Sequence, residues 1–168
     1  MQFDTRTPPT ITPALKDAVQ AYLLARAYTE TIRPTVQAYQ RATLVACKVR
    51  YDPKYADRIA RDGEYITDPK WSWMGRDDEI ENYWQSLHVA HLAHGFDVEP
   101  GYCPLLIAEH TEMQARLAIC DEAEYISGLT RAQITINLDR FSHYVELIVG
   151  LVLTLCPDIT TATVLADL

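Results

Sequence analysis

Residues 134–155, ITINLDRFSHYVELIVGLVLTL, decide the fold class. Ile134, Leu138, Phe141, Val145, Ile148, Val152 and Leu155 are spaced by 4, 3, 4, 3, 4 and 3 residues. That spacing lines up one face of an α-helix. Thr130 is placed to cap this helix and Pro157 to end it. Leu147, Val149, Leu151 and Leu153 make the helix apolar off its seam as well. Two arrangements satisfy that pattern: a helix central to a bundle, or a helix whose second face meets another chain in a homodimer. The greasiest stretch, Val145–Cys156, contains Glu146 and is too short to cross a bilayer.

The same period recurs toward the N-terminus. Thr12 followed by Pro13 is a helix start, with a hydroxyl cap and then proline at the first helical position. Leu15, Val19, Tyr22 and Leu23 give its apolar face. Pro34 breaks or kinks the run near Ile32–Arg33, and Val36, Tyr39, Thr43 and Cys47 continue it, so 13–50 reads equally as one kinked helix or two. Asp77, Asp78 and Glu79 suit the positive end of a helix dipole. The helix they open has the seam Ile80, Trp84, Leu87, His91 and His94, and Gly95 ends it. Pro104 opens the next, with the seam Leu106, His110, Met113, Leu117, Cys120 and Glu124.

Residues 51–76 have no clean period. Asp52-Pro53, Asp62-Gly63 and Asp68-Pro69 punctuate them, and Tyr51, Tyr55, Tyr65, Trp71 and Trp73 lie between. A long ordered excursion is expected, with a short helix at 53–61. The expectation is an all-α fold: about five helices in an antiparallel bundle, one domain over 1–168, and an irregular excursion at 51–76.

Composition removes several function classes. The chain has 168 residues, 48% hydrophobic and 23% charged, which is enough to bury a core. Its net charge of −8 argues against a general phosphate-backbone binder. The charge is uneven: residues 33–61 carry seven cations against two acids, and 62–124 carry three cations against 14 acids. Lys48, Arg50, Tyr51, Lys54, Tyr55, Arg58 and Arg61 interleave cation and aromatic in a way that can grip a nucleic-acid strand. Pairing with the acidic half, within the molecule or head-to-tail between subunits, fits the overall charge better. With six glycines there is no phosphate-cradling loop and no dinucleotide fingerprint. Cys47, Cys103, Cys120 and Cys156 form no CxxC pair. The start Met1-Gln2-Phe3-Asp4-Thr5 lacks a signal-like pattern, so reduced thiols and a cytoplasmic location are expected.

Four histidines cluster: His88, His91, His94 and His110. At about 100° per residue His88 and His94 diverge by about 120°, so the three on one helix do not share a face. If the helices over 77–95 and 105–127 run side by side, His91 comes level with Glu109 and His110, with His88 or Glu112 as a fourth ligand. That set suits zinc or another borderline divalent ion in a metal-dependent helical hydrolase. Against it stands the ordinary role of seam histidines, which is to satisfy buried polar groups or bond a carboxylate. That reading leaves no cofactor. Glu109-x-x-Glu112 and Asp121-x-x-Glu124 resemble the magnesium carboxylates of all-α nucleoside-triphosphate pyrophosphohydrolases. There the two halves sit on successive helices; here both fall on one. Cys103, just before a helix start, is either a packed or capping thiol or a dipole-activated nucleophile. His143 lies well off the last helix's seam and is expected in solvent.

The run Gly101-Tyr102-Cys103-Pro104-Leu105-Leu106-Ile107-Ala108-Glu109 resembles a motif of small bacteriophage and prophage helical proteins. In that family a Tyr/Trp-containing helix ends in glycine, a G-x-CP-x-L-x-AE segment starts the next helix, and an apolar helix follows. Tyr83-Trp84, Gly95 and the 130–156 helix fit that outline, so the resemblance spans roughly 77–156. It implies no activity. It points to an accessory protein that acts by binding. The chain is expected to bind a protein partner and to assemble as a homo-oligomer. The expected contact surface is Trp71, Trp73, Tyr55, Arg58 and Arg61, because exposed aromatic and arginine side chains anchor most interfaces.

Overall fold

The computed structural model describes residues 10–54, 56–57, 77–127 and 138–159. Four α-helices run through them: α1 (Pro13–Tyr51), α2 (Asp77–Ala93), α3 (Pro104–Ser127) and α4 (Leu138–Leu155), with no strand among the described residues. The all-α expectation holds. Four helices stand where about five were expected: the run around Pro34 is one helix of 39 residues, and most of the short helix expected at 53–61 lies outside the described residues. No helix among the described residues is long and apolar enough to cross a membrane.

The ends of the helices follow their local chemistry. Leu15 donates its backbone N–H to Thr12 Oγ1 at 3.1 Å, so Thr12 caps α1 with Pro13 in the first turn. At the end of α2, Gly95 takes φ +80°. Phe96 N–H bonds the His91 carbonyl at 2.9 Å and Gly95 N–H the Leu92 carbonyl at 3.0 Å. Those two bonds are a Schellman motif, which needs a left-handed residue where glycine stands. Tyr102 N–H then bonds the Glu99 carbonyl across Pro100-Gly101, with Gly101 at φ +88°. Proline then glycine is the type II turn signature, and it delivers the chain into α3 at Pro104.

Two compact units divide the chain, one made of 1–29 and 108–168, the other of 30–107. The boundary in α1 falls between Thr29 and Glu30. Pro34, inside the helix, removes the N–H that would otherwise bond the Glu30 carbonyl. Just upstream, the buried Thr29 turns its Oγ1 back to the Ala25 carbonyl at 2.8 Å, a contact that loosens a helix locally.

In the first unit Leu15, Val19 and Tyr22 of α1, Ile119, Cys120 and Ala123 of α3, and Phe141, Tyr144, Val145, Ile148, Val149 and Val152 of α4 form one core. Val149, off the main seam of α4, is part of that core, while Leu147 and Leu155 remain exposed. Cys156 and Ile159 close it below the helix. In the second unit Ile32, Val36, Tyr39 and Leu44 of α1, Tyr83, Leu87 and His91 of α2, and Cys103 and Leu105 are buried. All four cysteines are free, with Cys47 half-buried and the others buried.

Two seams differ from expectation. On α3 the buried positions are Leu105, Ala108, Ile119, Cys120 and Ala123, while Leu106, His110 and Met113 face outward. The stripe through Leu105, Ala108, Ile119 and Ala123 passes Glu112 and Arg116, and two charges make it read as a solvent face. They are an ion pair at 2.5 Å, with Arg116 lying 5.5 Å over the Tyr22 ring. On α2 the buried aromatic is Tyr83; Ile80 and Trp84 are half-buried and His94 is exposed.

Candidate functional site

The second unit pairs the C-terminal half of α1 with α2 in antiparallel fashion. At one end Asn82 Nδ2 donates to Tyr51 Oη at 2.5 Å and to the Asp78 carbonyl at 2.7 Å. At the other, Tyr39 meets the last turn of α2. Its Oη lies 2.6 Å from His91 Nδ1. His94 stacks on the Tyr39 ring with centroids 4.5 Å apart, and Phe96, brought round by the Gly95 turn, lies at 6.2 Å.

The electrostatics of the pair follow from burial. Tyr39 is pushed up to about 12 by burial and then by the Cys103 sulfur, so the phenol stays neutral and shares one hydrogen with Nδ1. Burial, and then the neighbouring His88 and His94, hold His91 below the ordinary histidine value; the Tyr102 backbone opposes this weakly. His91 Nε2 is buried without a hydrogen-bond partner, and so is His88 Nδ1.

Among the described residues no group of three or more His, Cys, Asp or Glu side chains is placed to hold a metal ion. His88 and His91 belong to the second unit, Glu109 and His110 to the first. His110 is exposed, with Gln114 Nε2 3.4 Å from its Nε2, and Glu109 is half-buried. His91 is buried and bonded to Tyr39. His143 is exposed, as expected. Tyr55, Arg58, Arg61, Trp71 and Trp73, the expected contact surface, lie outside the described residues.

Beside the pair is a cleft of about 390 Å³ enclosed by α1, α2 and the start of α3. Leu44, Leu87, Leu105, Tyr83 and Trp84 line it. Gln37, Gln40 and Arg41 bring polar groups, and Leu106 stands at its edge. Cys103 lines it too, with Sγ accepting from Gln40 Nε2 at 3.0 Å. Its carbonyl accepts the Ile107 N–H at 3.1 Å, the first helical bond of α3. The described partner of this thiol is an amide, which fits packing and capping rather than activation by a base. Burial, then Cys103 and Cys47, push the Tyr83 phenol up to about 12, so it adds no negative charge.

The sequence reading missed Gln37, Gln40 and Arg41. Their spacing was the available signal: with Leu44 they occupy one helical face at i, i+3, i+4 and i+7. It also missed the polar clamp of the first unit. There the buried Tyr22 donates to Glu146 Oε1 at 2.9 Å, while Arg26 Nη1 bonds Glu146 at 2.8 Å and Tyr22 Oη at 3.1 Å. Burial, and then the bond to Glu146, raise the Tyr22 pKa.

Comparison with family models, with curated proteins and with solved structures finds no match to this chain.

Proposed function

We propose that the chain is a non-catalytic accessory protein of the phage type that acts in the cytoplasm by protein–protein contact and assembles with copies of itself. The supporting observation is where its exposed apolar side chains lie. Of nine large hydrophobic residues exposed among the described residues, five fall between Val89 and Ile107: Val89 (65%), Leu92 (48%), Tyr102 (56%), Leu106 (64%) and Ile107 (45%). Exposed apolar residues scattered singly need no explanation; a concentration of them on one unit favours a role in association.

The test is the double variant Val89→Asp, Leu92→Asp, on the outer face of α2, where neither side chain is part of the core. Light scattering coupled to size exclusion is expected to show wild type as an oligomer and the variant as a monomer with unchanged helical circular dichroism. An unchanged assembly in the variant would contradict the proposal.

A further inference from the structure

The C-terminal end of α2 carries a buried titratable ring and two exposed apolar side chains close together in the chain. His91 is 1% exposed, and the exposed Val89 and Leu92 stand just before and just after it. The His91 carbonyl accepts the Phe96 N–H at 2.9 Å and the His94 N–H at 3.1 Å, so its backbone holds the turn that ends the helix. Its side chain holds α1, with Nδ1 2.6 Å from Tyr39 Oη.

Among the described residues no acid acts on this ring. From α1 comes the Tyr39 phenol, kept neutral by burial and by the Cys103 sulfur that acts on it. From α2 itself come His88, half-buried with Nδ1 unpartnered, and His94, stacked on the Tyr39 ring. From the residues before α3 comes the Tyr102 backbone. His91 Nε2 has no hydrogen-bond partner. A helix C-terminus and a backbone carbonyl both favour a cation, but burial and the two neighbouring histidines outweigh them here.

We propose that this end of α2 makes self-association acid-sensitive: a proton taken up by His91 opens the last turn of the helix, moves Leu92 with it and releases one copy of the chain from another. The inference rests on the self-association proposed above. Histidine is the side chain whose charge ordinarily changes between pH 5 and 8. A charged ring with no acid beside it is relieved when the turn opens to water. The core of the first unit, as described, contains no histidine, so α4 stays closed over the same range.

Sedimentation equilibrium of the full chain at pH 7.5 and pH 5.5 tests it. Wild type is expected to assemble at pH 7.5, with a dissociation constant about tenfold or more higher at pH 5.5. His91→Asn keeps a polar group toward Tyr39 and does not titrate, so it should assemble alike at both. The double variant His88→Gln, His94→Gln should still dissociate in acid. Hydrogen exchange of wild type, mapped by peptide mass and corrected for the intrinsic effect of pH, needs no variant. Residues 91–96 should lose protection at pH 5.5 while 141–152 keep it. Acid dissociation of His91→Asn, acid resistance of His88→Gln, His94→Gln, or a loss of protection shared by α4 would overturn the gate. An acid-stable wild-type oligomer would overturn the gate alone, and a wild type already monomeric at pH 7.5 would overturn the self-association and the gate with it.

Discussion

Tyr39 Oη and His91 Nδ1, contributed by two antiparallel helices, lie 2.6 Å apart in the interior of the second unit. The bond ties α1 to the last turn of α2. Removing the phenol oxygen leaves a buried imidazole nitrogen without its hydrogen-bond partner. Tyr39→Phe is therefore expected to destabilise the protein by about 1–3 kcal/mol, read by urea denaturation. A variant as stable as wild type would show that the bond contributes nothing net.

The same ring makes stability depend on pH. His91 is held below the usual 6.5 by burial and by His88 and His94 along the same stretch of chain, while Tyr39 stays neutral and the Tyr102 backbone acts in the opposite direction. The unfolded chain thus takes up a proton near pH 6.5 that the folded chain resists. The contribution is fully present above pH 6.5 and is lost as pH falls through the lower folded value. Unfolding free energy measured from pH 8 down to pH 5 should fall over this window, and His91→Asn should flatten the decline. An undiminished slope in His91→Asn would assign it to other groups.

Pro34 is exposed and sits within α1, where a proline forfeits a hydrogen bond and crowds the preceding turn. Pro34→Ala restores the N–H facing the Glu30 carbonyl. It is expected to stabilise by about 1–3 kcal/mol in thermal or urea unfolding. A loss of stability would mean that the helix needs the proline at the boundary between the two units.

In the first unit two contacts to Glu146 separate by burial. Tyr22→Phe, at a fully buried position, should cost about 1–2 kcal/mol. Arg26→Ala should cost less than about 1 kcal/mol, because the Arg26 and Glu146 side chains are 42% and 52% exposed. Equal costs would contradict the ordering by burial.

How much of this could be read from the residues alone depended on whether local chemistry or a partner set the outcome. Thr12-Pro13, Gly95, Pro104 and Pro157 announce helix ends because caps and backbone restrictions are local. The seam of α4 is legible because its apolar positions keep one period from Phe141 to Val152. The face of α3 was misread because Glu112 and Arg116 satisfy each other within a mostly buried stripe, while the run Leu105-Leu106-Ile107-Ala108 offers apolar groups in every direction. Tyr83 lost to Trp84 in the α2 seam because both are aromatic and adjacent, and only the packing of α1 selects between them. The site was less legible still. His91 is bonded to Tyr39, 52 positions away in sequence, a pairing that no local spacing encodes.

The most direct test of the central claim is sedimentation equilibrium of the wild-type chain beside its Val89→Asp, Leu92→Asp variant, from low to high micromolar concentration. Self-association through the exposed residues of the second unit requires a wild-type mass that rises with concentration to a whole multiple of 19.1 kDa, and a variant that stays at the monomer mass. A wild type that remains monomeric throughout, or a variant that assembles as wild type does, would contradict it.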